Sequence, residues 1–288
     1  MKKKYLLVAI AAAMAVPIVN AADTQMSFSA PFSLSDAQAP DGNDAFKTKL
    51  VRLGNGALIS VFGDGVTDSV VDTTVYDLKG DAERAARDIF ARTCASASAD
   101  CSIESSWSAP QNVSETALLS SMSTDWDGPE IDGATAKVYY GDSDKPNISN
   151  GGANIMVTWT DKYCGDETAS ANQRSVSYLT REEREIPFSC TWARKGAVNA
   201  AGVITWEPKQ QLSDGVRDAK QDVSKINLAG NAVITWQEDP LGLQIGAADG
   251  PGDGASGANA SHGTDIWIAT KNQTNGYTGA IRLSDNYD

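Results

Sequence analysis

The chain holds one histidine among its 288 residues, His262, and no pair of cysteines in a CxxC spacing. A zinc site is therefore short of ligands. A Ser/His/Asp triad would have to use His262, which sits among Gly, Ser and Asn, and no Gly-x-Ser-x-Gly elbow accompanies it. Phosphate-cradling loops and metal-ligand motifs are missing as well. Positive charge is scarce: 24 Lys and Arg face 37 Asp and Glu, a formal net charge of −13 that repels nucleic acid and anionic membranes. Helix signals are weak, and only 80–87 and 180–184 read as short helical turns inside loops. Past the N-terminus no apolar run approaches the length of a membrane span.

That N-terminus has the three parts of a secretory signal. Met1-Lys2-Lys3-Lys4 is a basic head, 6–19 is an apolar run, and Val19-Asn20-Ala21 leads to a cut after Ala21. Residues 1–21 are thus expected to be removed and the rest exported through the secretory pathway to the cell surface or beyond, with no membrane span in the mature chain. Four cysteines, an even number in an exported chain, favour two disulfides. Three connectivities are open to them. The favoured one joins Cys94 to Cys101 around a tight Ser/Ala loop and Cys164 to Cys190 around one long loop.

What the chain does have is repetition. An aromatic residue is followed six residues later by Leu or Val, then Ser, then an acid, in four places: Phe28…Leu34-Ser35-Asp36, Trp107…Val113-Ser114-Glu115, Trp206…Leu212-Ser213-Asp214 and Tyr277…Leu283-Ser284-Asp285. Three copies carry Pro31, Pro110 or Pro208 shortly after the aromatic residue. Repetition of that kind means one structural unit used over and over.

Around each phrase further features recur in order. A short apolar run, an Asn/Gly turn and a longer strand-like run give a hairpin signal at 50–62, 147–159 and 226–236. The turn residues tolerate the positive φ that such turns need. After a long polar connection comes a third strand, at 88–92, 188–194 and 265–270, and the aromatic phrase closes the unit as a fourth, its Pro suiting an edge. Each unit is a four-stranded antiparallel meander, and such units arrayed by repetition are the blades of a β-propeller. The expectation is an all-β chain: a leading outer strand over 22–36, then blades over 37–115, 116–214 and 215–288. Three blades do not close a ring, so the chain reads as a partial propeller, the front half of a longer one.

Connection lengths sort the two ends of these blades. First-to-second turns are tight, whereas the second-to-third connections (65–87, 162–185, 240–264) and the fourth-to-first connection 116–144 are long. The loop mass therefore gathers on one face, where long loops usually carry function. An aromatic residue followed two residues later by an acid ends each second strand on that face: Phe62/Asp64, Trp159/Asp161 and Trp236/Glu238. Trp159 and Trp236 could stack on a sugar ring, with Asp64, Asp161 and Glu238 accepting its hydroxyl hydrogens. The competing reading makes the aromatics blade-to-blade core and the acids turn formers, since a residue repeated in every blade more often serves the repeat. Residues 248–257 faintly resemble a calcium-binding Gly/Asp repeat but lack a second turn to stack on, so a flexible insertion is expected there, with no cofactor or metal.

The blade grammar resembles the sialidase superfamily, whose repeats carry a Ser/Thr-x-Asp-x-Gly-x-Thr-Trp box before the fourth strand. Asn199-Ala200-Ala201-Gly202-Val203-Ile204-Thr205-Trp206 looks like a worn copy, and Asn272-Gln273-Thr274-Asn275-Gly276-Tyr277 a fainter one; neither keeps the Asp. More narrowly, four stretches resemble the bacterial surface proteins called choice-of-anchor O. They are the Cys94 loop, Ile186-Pro187-Phe188-Ser189-Cys190, Leu212-Ser213-Asp214-Gly215-Val216-Arg217-Asp218-Ala219 and Ser261-His262-Gly263-Thr264-Asp265-Ile266-Trp267. That resemblance implies a C-terminal sorting anchor, which this chain ends before.

The superfamily resemblance also implies a Phe/Tyr-Arg-Ile-Pro segment whose Arg binds the substrate carboxylate, two further arginines, an Asp acid/base and a Tyr nucleophile assisted by Glu. At the matching place stands Phe46-Lys47-Thr48-Lys49. Lys47 offers a point charge without the bidentate fork of Arg. Arg52 and Arg217 are the arginines expected to face the loops, and Asp41, Asp44 and Tyr76 lie near the other positions. The expectation is a non-catalytic, surface-associated propeller that binds an extracellular glycan or surface protein; an exo-sialidase or related glycosidase is the alternative.

Overall fold

Runs of β-branched and aromatic residues broken by Asn/Gly turns become paired strands, and the turns close on glycines at positive φ: Gly56 at 88°, Gly152 at 61° and Gly230 at 80°. The computed structural model describes residues 29–35, 45–68, 70, 73–77, 80, 82–95, 99–124, 136–165, 171–178, 184–240, 242, 264–273 and 276–286. The chain divides into two compact units, Met1–Pro31 and Phe32–Asp288. Of the first, only 29–31 are described, and all the described strands belong to the second. The signal segment with Ala21, the phrase residues Phe28 and Asp36, and Asp41, Asp44, His262 and 248–257 lie outside the described residues.

The first part of the chain forms β1 (Phe46–Arg52), β2 (Leu58–Gly65), β3 (Thr74–Asp77), β4 (Ala82–Ala85), β5 (Arg87–Cys94) and β6 (Gln111–Asn112). The middle forms β7 (Ser120–Thr124), β8 (Lys137–Tyr140), β9 (Asp144–Gly151), β10 (Asn154–Asp161), β11 (Ser175–Tyr178), β12 (Arg184–Pro187), β13 (Cys190–Val198), β14 (Ile204–Trp206) and β15 (Gln210–Gln211). The last part forms β16 (Asp218–Ile226), β17 (Ala232–Asp239), β18 (Asp265–Asn272), β19 (Gly276–Tyr277) and β20 (Ile281–Arg282). The order is β1-β2-β5-β6 in the first large sheet, β9-β10-β13-β14 in the second and β16-β17-β18-β19 in the third, with β15 also on β13 and β20 also on β18. These are all-antiparallel meanders in chain order, as the repeats imply, and no α-helix occurs among the described residues. Both expected disulfides are present, Cys94–Cys101 and Cys164–Cys190.

The recurring phrase has a local physical cause. In each sheet the Leu or Val of the phrase donates its N–H to the carbonyl of the residue near the start of the third strand, and the Ser hydroxyl accepts that same residue's N–H. The pairs are Val113/Ser114 with Ile89, Leu212/Ser213 with Thr191, and Leu283/Ser284 with Ile266. Two reciprocal bonds lock the fourth strand onto the third where the ladders themselves are short. The aromatic residue works sideways: Trp206 donates its indole N–H to Gln111 of the first sheet at 2.9 Å, and the Tyr277 hydroxyl meets Met156 of the second at 3.7 Å.

An arginine on the third strand completes the clasp. Arg194 holds Glu207 O in its own sheet and Val113 O of the preceding phrase. Arg92 holds Ser108 O and, in the same way, Leu34 O. Leu34 thus stands to the first sheet as Val113 stands to the second.

Apolar side chains fill both gaps between the large sheets. Ile59, Val61, Ile89, Ile155, Val157 and Trp159 pack between the first and second. Met156, Leu212, Ile226, Ile234 and Trp236 pack between the second and third. Burying one such side chain is worth about 1.5–3 kcal/mol.

The long connections differ from the expected polar loops. They contain the two-stranded sheets β3–β4, β7–β8 and β11–β12. The 80–87 stretch, read as a helical turn, is β4 running into β5, and Arg184 opens β12. Val75, Tyr76, Tyr139, Val176, Tyr178, Ile186 and Phe188 from these connections form a core cluster of their own. No single hairpin could bury its apolar face alone, so tertiary packing overrides the weak helix preference of 80–87.

Candidate functional site

The first strand of each large sheet breaks its ladder at one place. Register slips between Phe46 and Lys49 in β1, opposite Thr158 to Thr160 in β9, and between Lys220 and Val223 in β16. At equivalent positions inside these bulges Lys47, Lys145 and Gln221 take φ of 50°, 53° and 58°. Left-handed backbone at a residue with a β-carbon costs on the order of 1 kcal/mol, and bulges of this kind re-aim side chains. Gly63 makes room beside the first bulge: a β-carbon there would come within 2.1 Å of the Phe46 ring.

These strand ends meet the hairpin layer at a cleft of about 610 Å³ on the long-loop side. Its cations are Lys47, Arg84, Arg87, Lys145, Lys162 and Lys220, and its acids Asp77, Asp142, Asp144 and Asp218. Cations outnumber acids in the cleft of a chain whose formal charge is −13.

The cations differ in how well they are matched. Arg84 is committed: two guanidinium nitrogens meet Asp142 at 2.8 and 2.7 Å, and Nε meets Asp77 at 2.8 Å. Burial works against its charge, but Asp142 and Asp77 outweigh it and hold its pKa above the ordinary value. Lys47 pairs with Asp144 at 2.7 Å. Burial alone would raise the Asp144 carboxyl, but Lys47 and Lys220 bring it below its usual range.

Arg87 lies 4.1 Å from the Phe46 ring centroid, and its nearest carboxylate, Asp77, is 3.8 Å away. Burial lowers its pKa. The Lys162 amine, which donates to Pro187 O at 2.6 Å, is pushed down to about 8 by burial and then by Lys220. Among the described residues the Lys145 amine meets no hydrogen-bond partner, and burial, then Lys220, pulls its pKa down. Lys145 and Arg87 are therefore positive groups that an incoming anion would relieve.

Of the six residues expected to meet a ligand, Lys47 lines this cleft. The other five are in the interior, at 1% exposure for Asp64, 0% for Trp159 and Asp161, 1% for Trp236 and 4% for Glu238. The aromatic-x-acid pattern is a clasp: the Trp159 indole donates to Asp161 at 3.3 Å and the Trp236 indole to Glu238 at 2.6 Å. Asp161 also accepts from Thr116, Ser143, Tyr163 N and Asp142 N, tying β10 to the fourth-to-first connection. Stacking of a sugar on Trp159 or Trp236 has no open face in this arrangement. Glu238 edges a second cavity, between the second and third sheets.

Among the other nominated residues, Tyr76 lines the cleft. Arg52 does not face the loops: it donates to Gly56 O beside the tight turn, at the opposite end of its strand. Arg217 pairs with Asp265 at the second cavity. The missed residues had a signal. In register Lys145 falls at the place of Lys47, and a hairpin one residue shorter, 14 residues from Lys145 to Trp159 against 15 from Lys47 to Phe62, hid that equivalence. Arg84 and Arg87 were masked by the helix-like composition of 80–87.

No family model and no curated protein matches the chain. Among solved structures, Trypanosoma rangeli sialidase is similar at a TM-score of 0.36 and 10% identity, over 82% of this chain and 30% of that one. The same sialidase in complex with the inhibitor DANA gives 0.36 and 10%, over 84% and 31%. This chain spans about a third of the length of those chains. A likeness so loose transfers neither a catalytic residue nor a ring.

Proposed function

We propose that this is an exported, surface-associated, sialidase-like propeller, about three blades of it present here, whose loop-face cleft binds an acidic glycan without turning it over. The blade reading is supported by how the large sheets meet: β9 packs against both β1 and β16, so the first strands lie together on the inside. The export reading rests on the N-terminal sequence and agrees with two disulfides. No helix among the described residues is long and apolar enough to cross a membrane.

The ligand reading is carried by one observation: the amine of Lys145 stands in a cation-rich cleft without a hydrogen-bond partner among the described residues. A sugar carboxylate would give it one, with Arg87 as a second donor. Binding is favoured over turnover by the tyrosines. The Tyr139 hydroxyl is buried and donates to Tyr76 O at 2.9 Å, and burial drives its pKa far above the usual value, the reverse of an activated nucleophile. Tyr76, Tyr139 and Tyr178 beside Arg84 and Arg87 are what favour the exo-sialidase alternative.

A glycan array and a fluorogenic sialoside separate the two readings. The expected result is retention of acidic glycans with no release of fluorophore. Turnover abolished by Lys47→Ala would establish the glycosidase instead.

A further inference from the structure

One position in the repeat holds a stacked ring in the second sheet and none among the described residues of the third. Trp192 and Trp267 are equivalent, each lying opposite the tryptophan of its sheet's second strand, Trp159 and Trp236 respectively. In the second sheet Tyr163 stacks on Trp192 with ring centroids 5.9 Å apart at 18°, and its carbonyl accepts the Trp192 indole N–H at 2.9 Å. Lys209 sets its amine 5.9 Å from the same ring. The register places Pro240 and Ala280 at the corresponding points of the third sheet.

A cavity of about 500 Å³ lies beside Trp267 and Ala280, with the Arg217 guanidinium 5.9 Å from the Trp267 ring. Gln210, Gln211, Arg217 and Glu238 supply its polar lining. Glu238 is only 4% exposed; one carboxyl oxygen takes the Trp236 N–H, and among the described residues no other hydrogen bond reaches the side chain. The Gln210 and Gln211 amides donate to Gln211 O and Ser213 O, Gln210 standing at the exposed surface and Gln211 half-buried.

We propose that this cavity is a binding site for a pyranose ring, seated against Trp267 where the second sheet seats Tyr163. Tyr163 shows the shape the place accepts, a six-membered ring roughly parallel to the indole. The lining chooses a sugar over an aromatic ring. The Glu238 carboxylate and the two glutamine amides offer acceptors that vicinal hydroxyls can engage while the ring's C–H face meets the indole. An aromatic occupant would cover the nearly buried Glu238 carboxylate without offering it a donor, at a cost of about 1–3 kcal/mol. The volume lies in the range of small-molecule sites, roughly 300–1,000 Å³. This site is separate from the loop-face cleft and does not depend on what the cleft binds.

The test is titration of the full chain with the methyl pyranosides of glucose, galactose, mannose and N-acetylglucosamine, with phenol as the aromatic counterpart, followed by saturation-transfer NMR. At least one pyranoside binds, and Ala280→Lys, which restores the second sheet's plug, weakens it roughly tenfold or more. Trp267→Ala reads the same contact should Ala280→Lys fail to fold. Arg87→Ala in the cleft leaves the pyranoside affinity unchanged while lowering affinity for acidic glycans, so the two sites are scored apart. Absence of any pyranoside binding, binding of phenol alone, or affinity that ignores both Ala280→Lys and Trp267→Ala would overturn the proposal.

Discussion

The second and third large sheets are built from the same phrases and are buried in different ways. In β10 every residue after Asn154 is buried; in β17 buried and open positions alternate along the first half of the strand. Met156 and Val233 hold the same register position, at 0% and 43% exposure. So do Thr191 and Ile266, at 0% and 41%. The more apolar member of the second pair is the exposed one. Burial here follows which sheet lies alongside, and side-chain polarity alone would have ranked that pair the other way.

The sharpest way to break this comparison is a matched truncation. Met156→Ala is expected to cost about 2–5 kcal/mol of unfolding free energy, because it opens a gap between two sheets. Val233→Ala should fall within about 0.5 kcal/mol, as surface changes usually do. Urea denaturation of both variants decides it, and equal losses would mean that the third sheet is covered as the second is.

A smaller contrast concerns the clasps. Where the first and third sheets start their third strand with Asp88 and Asp265, each bonded to the phrase Ser, the second sheet has Cys190, bonded to Cys164. That disulfide spans 26 residues and Cys94–Cys101 spans 7, so loop-closure entropy makes the first worth about 3.5 kcal/mol and the second about 2.4 kcal/mol. Replacing Cys164 and Cys190 together by Ala should therefore lower the denaturation midpoint more than the same change at Cys94 and Cys101.

The smallest effect is in pH. Burial raises the Asp161 and Asp222 carboxyls from the ordinary 3.8 to about 6. The folded state thus holds their protons more tightly than the unfolded state. Their stabilising contribution is complete below pH 3.8 and is lost as pH rises through about 6. Asp144 and Glu207, held below their usual range despite burial, act oppositely and only at lower pH. The denaturation midpoint should accordingly rise as pH falls from about 7 to about 5, and Asp161→Asn should flatten that slope. An unchanged slope would mean that Asp161 stays ionised in the fold.

Strand order, tight turns and both disulfides were legible in the sequence because they rest on short-range signals: Asn/Gly at a turn, a Ser poised to meet a neighbouring N–H, cysteines a short loop apart. The hairpin layer was not, because Val75, Tyr76, Tyr139 and Tyr178 become core only against one another, across separate connections. The site was half legible. Lys47 was found through the Phe46-Lys47-Thr48-Lys49 stretch, and its twin Lys145 was hidden by a hairpin one residue shorter. Trp159 and Trp236 drew notice by recurring, and recurrence turned out to belong to the clasp with Asp161 and Glu238. Ala280 could not stand out, since its meaning lies in the missing bulk of Lys209 one sheet earlier.

The claim that the loop-face cleft holds an acidic sugar is tested most directly by calorimetric titration of the full chain with 3′-sialyllactose and with lactose, at low and high salt. Binding of the acidic ligand alone, weakened by salt and reduced roughly tenfold by Lys145→Ala, is the predicted result. Equal binding of both sugars, or affinity for sialyllactose that Lys145→Ala leaves untouched, would contradict it.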